Sequence, residues 1–125
     1  IARQIKAILD NEDMKKILSV IVNMSMAKDG ILLIDEIDNG LHFSSMPILW
    51  KAIVESAQRY NVQVFATTHN IESIRSLNDV LEEYPEMQPQ FKSYTLRKRA
   101  QGVLDAIEAS YNQFNHIINQ ELELR

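Results

Sequence analysis

The chain has 125 residues, 46% of them hydrophobic and 24% charged, with no cysteine; that is enough for one domain with a core, and it excludes disulfides and thiolate metal centres. Against 17 Asp and Glu stand 13 Lys and Arg, a net charge of −4, so no global basic field draws the chain to nucleic acid. No apolar run approaches the roughly 18 residues of a bilayer crossing and no secretory leader is visible, so a soluble, cytoplasmic protein with no membrane partner is expected.

The chain opens on Ile1 inside a helical stretch, which reads as a fragment of a longer protein. Ile5, Ile8 and Leu9 at helical spacing predict a short helix over 2–9, closed by the polar run at 10–13. Ile17, Leu18, Ile21, Val22, Met24 and Met26 predict a second helix over 14–28, with Asp13 as its N-cap, Lys28 favourable at its end, and a stop at Asp29-Gly30. The run ILLI at 31–34 has the length and continuity of a strand buried on both faces of a parallel sheet. A loop through Gly40 follows, then a helix from about Pro47 to Tyr60. The sequence VQVFATT at 62–68 predicts a second strand, and Asn70 can cap a helix reaching about Glu83. Strand, helix, strand, helix is the pattern of a parallel α/β sheet. Past Pro85 and Pro89, residues 91–99 and 103–108 predict a hairpin turning near Gly102. Ser110 and Gln113 have capping-box spacing, so a last helix over 111–119 should bury Phe114, Ile117 and Ile118.

The chemistry concentrates at the strand tips. Asp35 and Glu36 stand where the first strand leaves the sheet, the edge at which parallel α/β sheets bind ligands. A carboxylate there can hold Mg2+, which keeps much of its water, and Asp35 suits that role. Glu36 can orient or deprotonate a water attacking a γ-phosphate. The second strand runs into Thr67-Thr68-His69-Asn70, which puts His69 at a neighbouring tip, where it can contact the γ-phosphate and couple it to the following helix.

Residues 31–42, ILLIDEIDNGLH, together with 64–70, VFATTHN, resemble the ABC-type AAA ATPases related to RecF, SMC and the overcoming-lysogenization-defect proteins. The resemblance implies that ILLIDE is a Walker B motif, with Asp35 the Mg2+ partner and Glu36 the catalytic base. It implies that Asn39, Gly40 and His42 belong to a D-loop at the interface of a homodimer with ATP sandwiched between subunits, and that His69 is the switch histidine. The close at 121–125, ELELR, resembles the end of such proteins more weakly. Two departures stand beside it. The phosphate loop G-x-x-x-x-G-K-[ST] is absent, so an upstream half of the same domain would have to supply the cradle for ATP. Where the family has a glycine-containing signature, this chain has Asn11-Glu12-Asp13-Met14, whose acids would repel a γ-phosphate.

The expectation is therefore an α/β fold, a partial P-loop NTPase sheet with flanking helices and a C-terminal hairpin plus helix. Residues 1–125 are read as the C-terminal portion of one ATPase domain, with its core at 13–84 and the hairpin and helix at 90–125. The alternative is a truncated or degenerate ATPase half acting as a non-catalytic interaction module. Relatives of this type serve DNA repair, chromosome organisation and anti-phage defence, so a nucleic acid or a nuclease or effector partner stays open. Arg97-Lys98-Arg99 reads first as a solvated turn and second as a phosphate contact. Asp35 with Asp38 is a weaker case for a two-metal nuclease. His42 and His116 lack metal-site spacing, and Met46, Leu49 and Trp50 read as core.

Overall fold

The computed structural model describes residues 1–123, leaving aside the side chains of residues 7–9 and 121–123. The resemblance at 121–125 and the contacts of Ile8 and Leu9 therefore lie outside the described residues. The chain divides into two compact units, Ile1–Val80 and Leu81–Arg125.

In the first unit, α1 (Ala2–Asp10) and α2 (Glu12–Met26) precede β1 (Ile31–Ile34), α3 (Met46–Tyr60), β2 (Gln63–Ala66) and the start of α4 (Ile71–Glu83). The cap of α2 differs from expectation. Asn11 takes that position, its Oδ1 accepting from the amides of Asp13 at 3.0 Å and Met14 at 3.2 Å, because this polar residue two positions earlier satisfies the free amides while Asp13 is turned onto a loop. The helix stops at Met26, so Lys28 lies beyond it. Ile17, Val20 and Met24 form its buried stripe, and Met46, Leu49, Trp50, Ile53 and Val54 form that of α3, which packs against α2. The helix α3 ends on Asn61 in the left-handed region, φ 54°.

The strands β1 and β2 pair in parallel with Leu32 opposite Val64 and Leu33 opposite Phe65. The expectation that β1 is buried on both faces fails. Leu32, Ile34 and Val64 are half-buried, whereas Ile31 and Leu33 are 61% and 73% exposed and Phe65 is 49% exposed. A two-stranded sheet offers one face to its helices, and among the described residues of this unit the other face stays open. The second strand is also shorter than read, because Thr67 and Thr68 leave the ladder to bind the loop that follows β1.

The indole of Trp50 donates to the Ser73 hydroxyl at 2.9 Å, both residues buried, and so ties α3 to α4. Ser73→Ala leaves a buried N–H without a partner. It should cost about 1–3 kcal/mol in urea unfolding, more than an exposed change such as Ser25→Ala.

In the second unit, β3 (Lys92–Lys98) and β4 (Leu104–Ser110) form an antiparallel hairpin, with Lys92 opposite Ser110 and Lys98 opposite Leu104. The turn passes through Gln101 and Gly102, both at positive φ. Arg99 pairs with Asp105 across it, and Lys92 with Glu108 at 2.8 Å. The capping box forms as expected, the Ser110 amide donating to Gln113 Oε1 at 2.9 Å and the Gln113 amide to Ser110 Oγ at 3.5 Å. It opens α5 (Tyr111–Glu123), which is longer than read. Tyr111, Phe114 and Ile118 are buried, while Ile117 is 48% exposed because the i, i+3/i+4 stripe runs 111, 114, 118 and leaves it at the margin.

Candidate functional site at the tips of the parallel strands

Thr67 joins the two tips. Its amide donates to the Ile34 carbonyl at 3.0 Å, and its carbonyl accepts from the Ile37 amide at 3.0 Å. Its hydroxyl accepts from the Glu36 amide at 2.8 Å and donates to Asp35 Oδ1, as one hydroxyl can do both. The backbone therefore turns sharply at Glu36, which lies in the left-handed region at φ 48°. That conformation costs a non-glycine residue about 1–2 kcal/mol, and Ile37, fully buried, pins the turn from the other side. The exposed Glu36 carboxylate lies 3.7 Å from His69 Nε2.

Side chains alternate along a strand, so Ile31, Leu33 and Asp35 share one face, and Phe65 and Thr67 share the same face of β2. Asp35 is thus the polar end of the uncovered apolar surface.

The next two ties form a cavity of about 180 Å³ lined by Glu36, Asp38, Asn39, Gly40, Leu41, His69 and Asn70. Asp38 is buried and accepts from the Thr68 hydroxyl at 2.5 Å. Thr68 Oγ1 in turn accepts from the Asn70 amide at 3.1 Å, and Asn70 Oδ1 accepts from the Glu72 amide at 2.9 Å, capping α4 as expected. His69 thereby stands between two fixed residues. Gly40 turns the loop at φ 78°.

The loop is held from α2. Asp13 Oδ2 accepts from the His42 amide at 3.1 Å and from Ser45 Oγ at 2.7 Å, and Lys16 Nζ donates to the Asn39 carbonyl at 2.6 Å. The Ser45 hydroxyl first, then the His42 amide and nearby positive charge, holds the Asp13 carboxyl below its ordinary 3.8 against an opposing desolvation. The carboxylate read as a repulsive signature residue is thus turned onto the loop. A depressed folded pKa stabilises the fold fully above the unfolded value, and that contribution is lost as pH falls through the folded one. The stability gap between wild type and Asp13→Ala should be constant from pH 7 to pH 5 and narrow as pH falls below 3.8, read from urea midpoints.

Among the site residues read from sequence, Glu36, Asn39, Gly40 and His69 line one cavity, with Asp35 beside it across Thr67. His42 sits at the exposed turn, its ring against Phe43 at 4.4 Å. His116 and the basic residues 97–99 belong to the other unit. Sequence reasoning gave Thr67, Thr68 and Lys16 no site role and read Asp13 as a helix cap and a repulsive acid; two hydroxyls just past a strand and opposite a carboxylate pair were the available signal for the threonines.

Among the described residues no three or more His, Asp or Glu are grouped to hold a metal ion. The donors present at the tips, the Asp35 and Glu36 carboxylates, are oxygen ligands of the kind that Mg2+ takes together with water and substrate phosphates. No helix among the described residues is long and apolar enough to cross a membrane.

This chain is similar in sequence to known proteins. A family described as "AAA domain, putative AbiEii toxin, Type IV TA system" matches residues 14–75, which contain both strands, Glu36 and His69. The chain is 31% identical over 113 residues to an ATP/GTP phosphatase of Helicobacter pylori, with 88% of this chain covered but only 30% of that protein's length. It is also 31% identical over 101 residues to the uncharacterized protein MJECL11 of Methanocaldococcus jannaschii, covering 81% of this chain and 86% of that protein. Together with a short parallel sheet compatible with a P-loop NTPase fragment, the family match and the phosphatase relative support an AAA-type, P-loop ATPase-like domain.

Proposed function

We propose that this chain is the water-activating portion of an ATP-hydrolysing, ABC-type AAA domain, and that an upstream portion of the same domain supplies the phosphate cradle. The observation that carries this reading is the continuity of the exposed apolar face formed by Ile31, Leu33 and Phe65 with Asp35 and Thr67. An element laid over that face would meet the carboxylates at its end. Covering the part of Leu33 and Phe65 that is still open would contribute about 1–2 kcal/mol each. The name ATP/GTP phosphatase borne by the Helicobacter relative supports nucleoside triphosphate hydrolysis.

In this reading ILLIDE is the Walker B motif and the loop through Asn39, Gly40 and His42 is the D-loop. Mg2+, when bound, neutralises phosphate charge, and Asp35 would hold it, its carboxylate oriented by Thr67. Glu36 accepts a proton from water as the water oxygen bonds to the γ-phosphorus and the bond to the ADP oxygen breaks; the proton leaves to solvent with product. The left-handed turn aims Glu36 at that water in advance, so little reorganisation is needed during reaction. His69, 3.7 Å from Glu36 and two residues before α4, links the γ-phosphate to that helix. Phe43, 67% exposed beside His42, supports a homodimer that covers this turn with ATP sandwiched between subunits.

The second reading, a non-catalytic docking module, draws on the same uncovered face. Calorimetric titration with Mg2+ and a non-hydrolysable ATP analogue separates the two. Binding should be weak to this chain and at least tenfold tighter once the upstream portion is joined to it. Equal binding in both would place the phosphate cradle elsewhere and sink the proposal, and no binding in either would favour the docking module.

A further inference from the structure

We propose that the first turn of α2 is a positioning device for the loop at 39–45, with Asp13 and Lys16 gripping its two ends so that Asn39, Gly40 and Leu41 are presented to Glu36 and His69. The inference rests on the hydrolytic reading above, and it identifies residues which that reading does not need. Asp13 and Lys16 stand three apart on one face of α2. A single oxygen, Asp13 Oδ2, takes both the His42 amide and the Ser45 hydroxyl, and Lys16 Nζ reaches the Asn39 carbonyl at 2.6 Å.

Between these anchors the loop has little packing to order it. Gly40 is at φ 78°, and a Cβ built there would meet nothing within 4 Å. Asn39 and Gly40 are exposed, the exposed His42 ring lies against Phe43 and bonds Ser44 Oγ at 2.8 Å, and the remaining ties of the loop are short backbone turns, Asn39 amide to Glu36 carbonyl at 3.0 Å and Leu41 amide to Asp38 carbonyl at 3.1 Å. Where packing is thin, hydrogen bonds from a rigid element set the conformation. The helix α2 is such an element, because Ile17, Val20 and Met24 fix it in the core. Movement of its first turn would therefore be passed to one wall of the 180 Å³ cavity. Asp13 and Lys16 touch no reacting atom, so their role is positional.

The test uses the complete protein with its upstream portion. Asp13→Ala should lower kcat by about tenfold or more, since small misplacements at a reacting centre have large rate effects, while KM for ATP stays within about twofold. Asp13→Asn keeps one oxygen able to accept both bonds and should retain kcat within about threefold. Amide exchange at His42 should quicken about fivefold or more in Asp13→Ala and stay near wild type in Asp13→Asn. Wild-type kcat and His42 exchange in Asp13→Ala would overturn the inference, as would Asp13→Asn proving as impaired as Asp13→Ala. If Asp13→Ala does not fold, Ser45→Ala and Lys16→Met each remove one anchor; a fall in kcat in both supports the device, and wild-type kcat in both defeats it. Absence of turnover in the wild type would instead fail the hydrolytic reading, and His42 exchange would still decide whether the clamp exists.

Discussion

Glu36→Gln in the complete protein should reduce kcat for ATP by about 10²–10⁴-fold, the range lost when a positioned base is removed, and leave ATP binding within a few fold. The geometry explains why binding and turnover should separate. Glu36 is exposed and lies in a left-handed turn whose amide is held by Thr67. Glutamine has the same size and the same backbone demands, so it changes neither the turn nor the fold. What it loses is a group able to accept the proton of the attacking water. Single-turnover phosphate release measures the chemical step, and nucleotide titration measures binding. Turnover unchanged in Glu36→Gln would remove Glu36 from the role of base and leave His69 as the nearest candidate.

Ile37→Ala should produce the largest loss of stability of any single change at the site, about 2–5 kcal/mol as for other buried Ile-to-Ala truncations. Ile37 is fully buried between Glu36 and Asp38, and its amide is bound to the Thr67 carbonyl. The cavity left behind would unpin the turn from beneath, so Glu36 should lose its register with His69 as the fold weakens. Urea unfolding checks the first effect, with Val22→Ala, half-exposed on α2, as a control expected to cost well under half as much. An equal loss in both would mean that Ile37 does not anchor the turn.

The elements of the fold were legible because each has a local physical cause. The apolar run 31–34 between Gly30 and Asp35, Pro47 in the first turn of a helix, Asn70 before α4 and the box from Ser110 to Gln113 each act within a few residues. Burial of the strand was not legible. A run of four apolar residues reports what the sheet is built to bury, and this chain's two strands leave Ile31 and Leu33 open. The cap of α2 was missed because Asn11 and Asp13 are both good caps, and only the distant loop decides that Asp13 is occupied elsewhere.

At the candidate site, Asp35, Glu36 and His69 stood out because two successive strands end in chemistry that complements, carboxylates at one tip and a histidine at the next. Thr67 and Lys16 act across 31 and 23 residues of sequence, on Glu36 and Asn39, and no local pattern announces such partners.

The central claim is that this chain supplies water activation to a site completed by an upstream portion. Phosphate release from ATP with Mg2+ tests it most directly, measured on this chain alone, on the upstream portion alone and on the two joined. The account requires turnover from the joined protein and a rate at background from either part. Turnover by the upstream portion alone, at the rate of the joined protein, would contradict it.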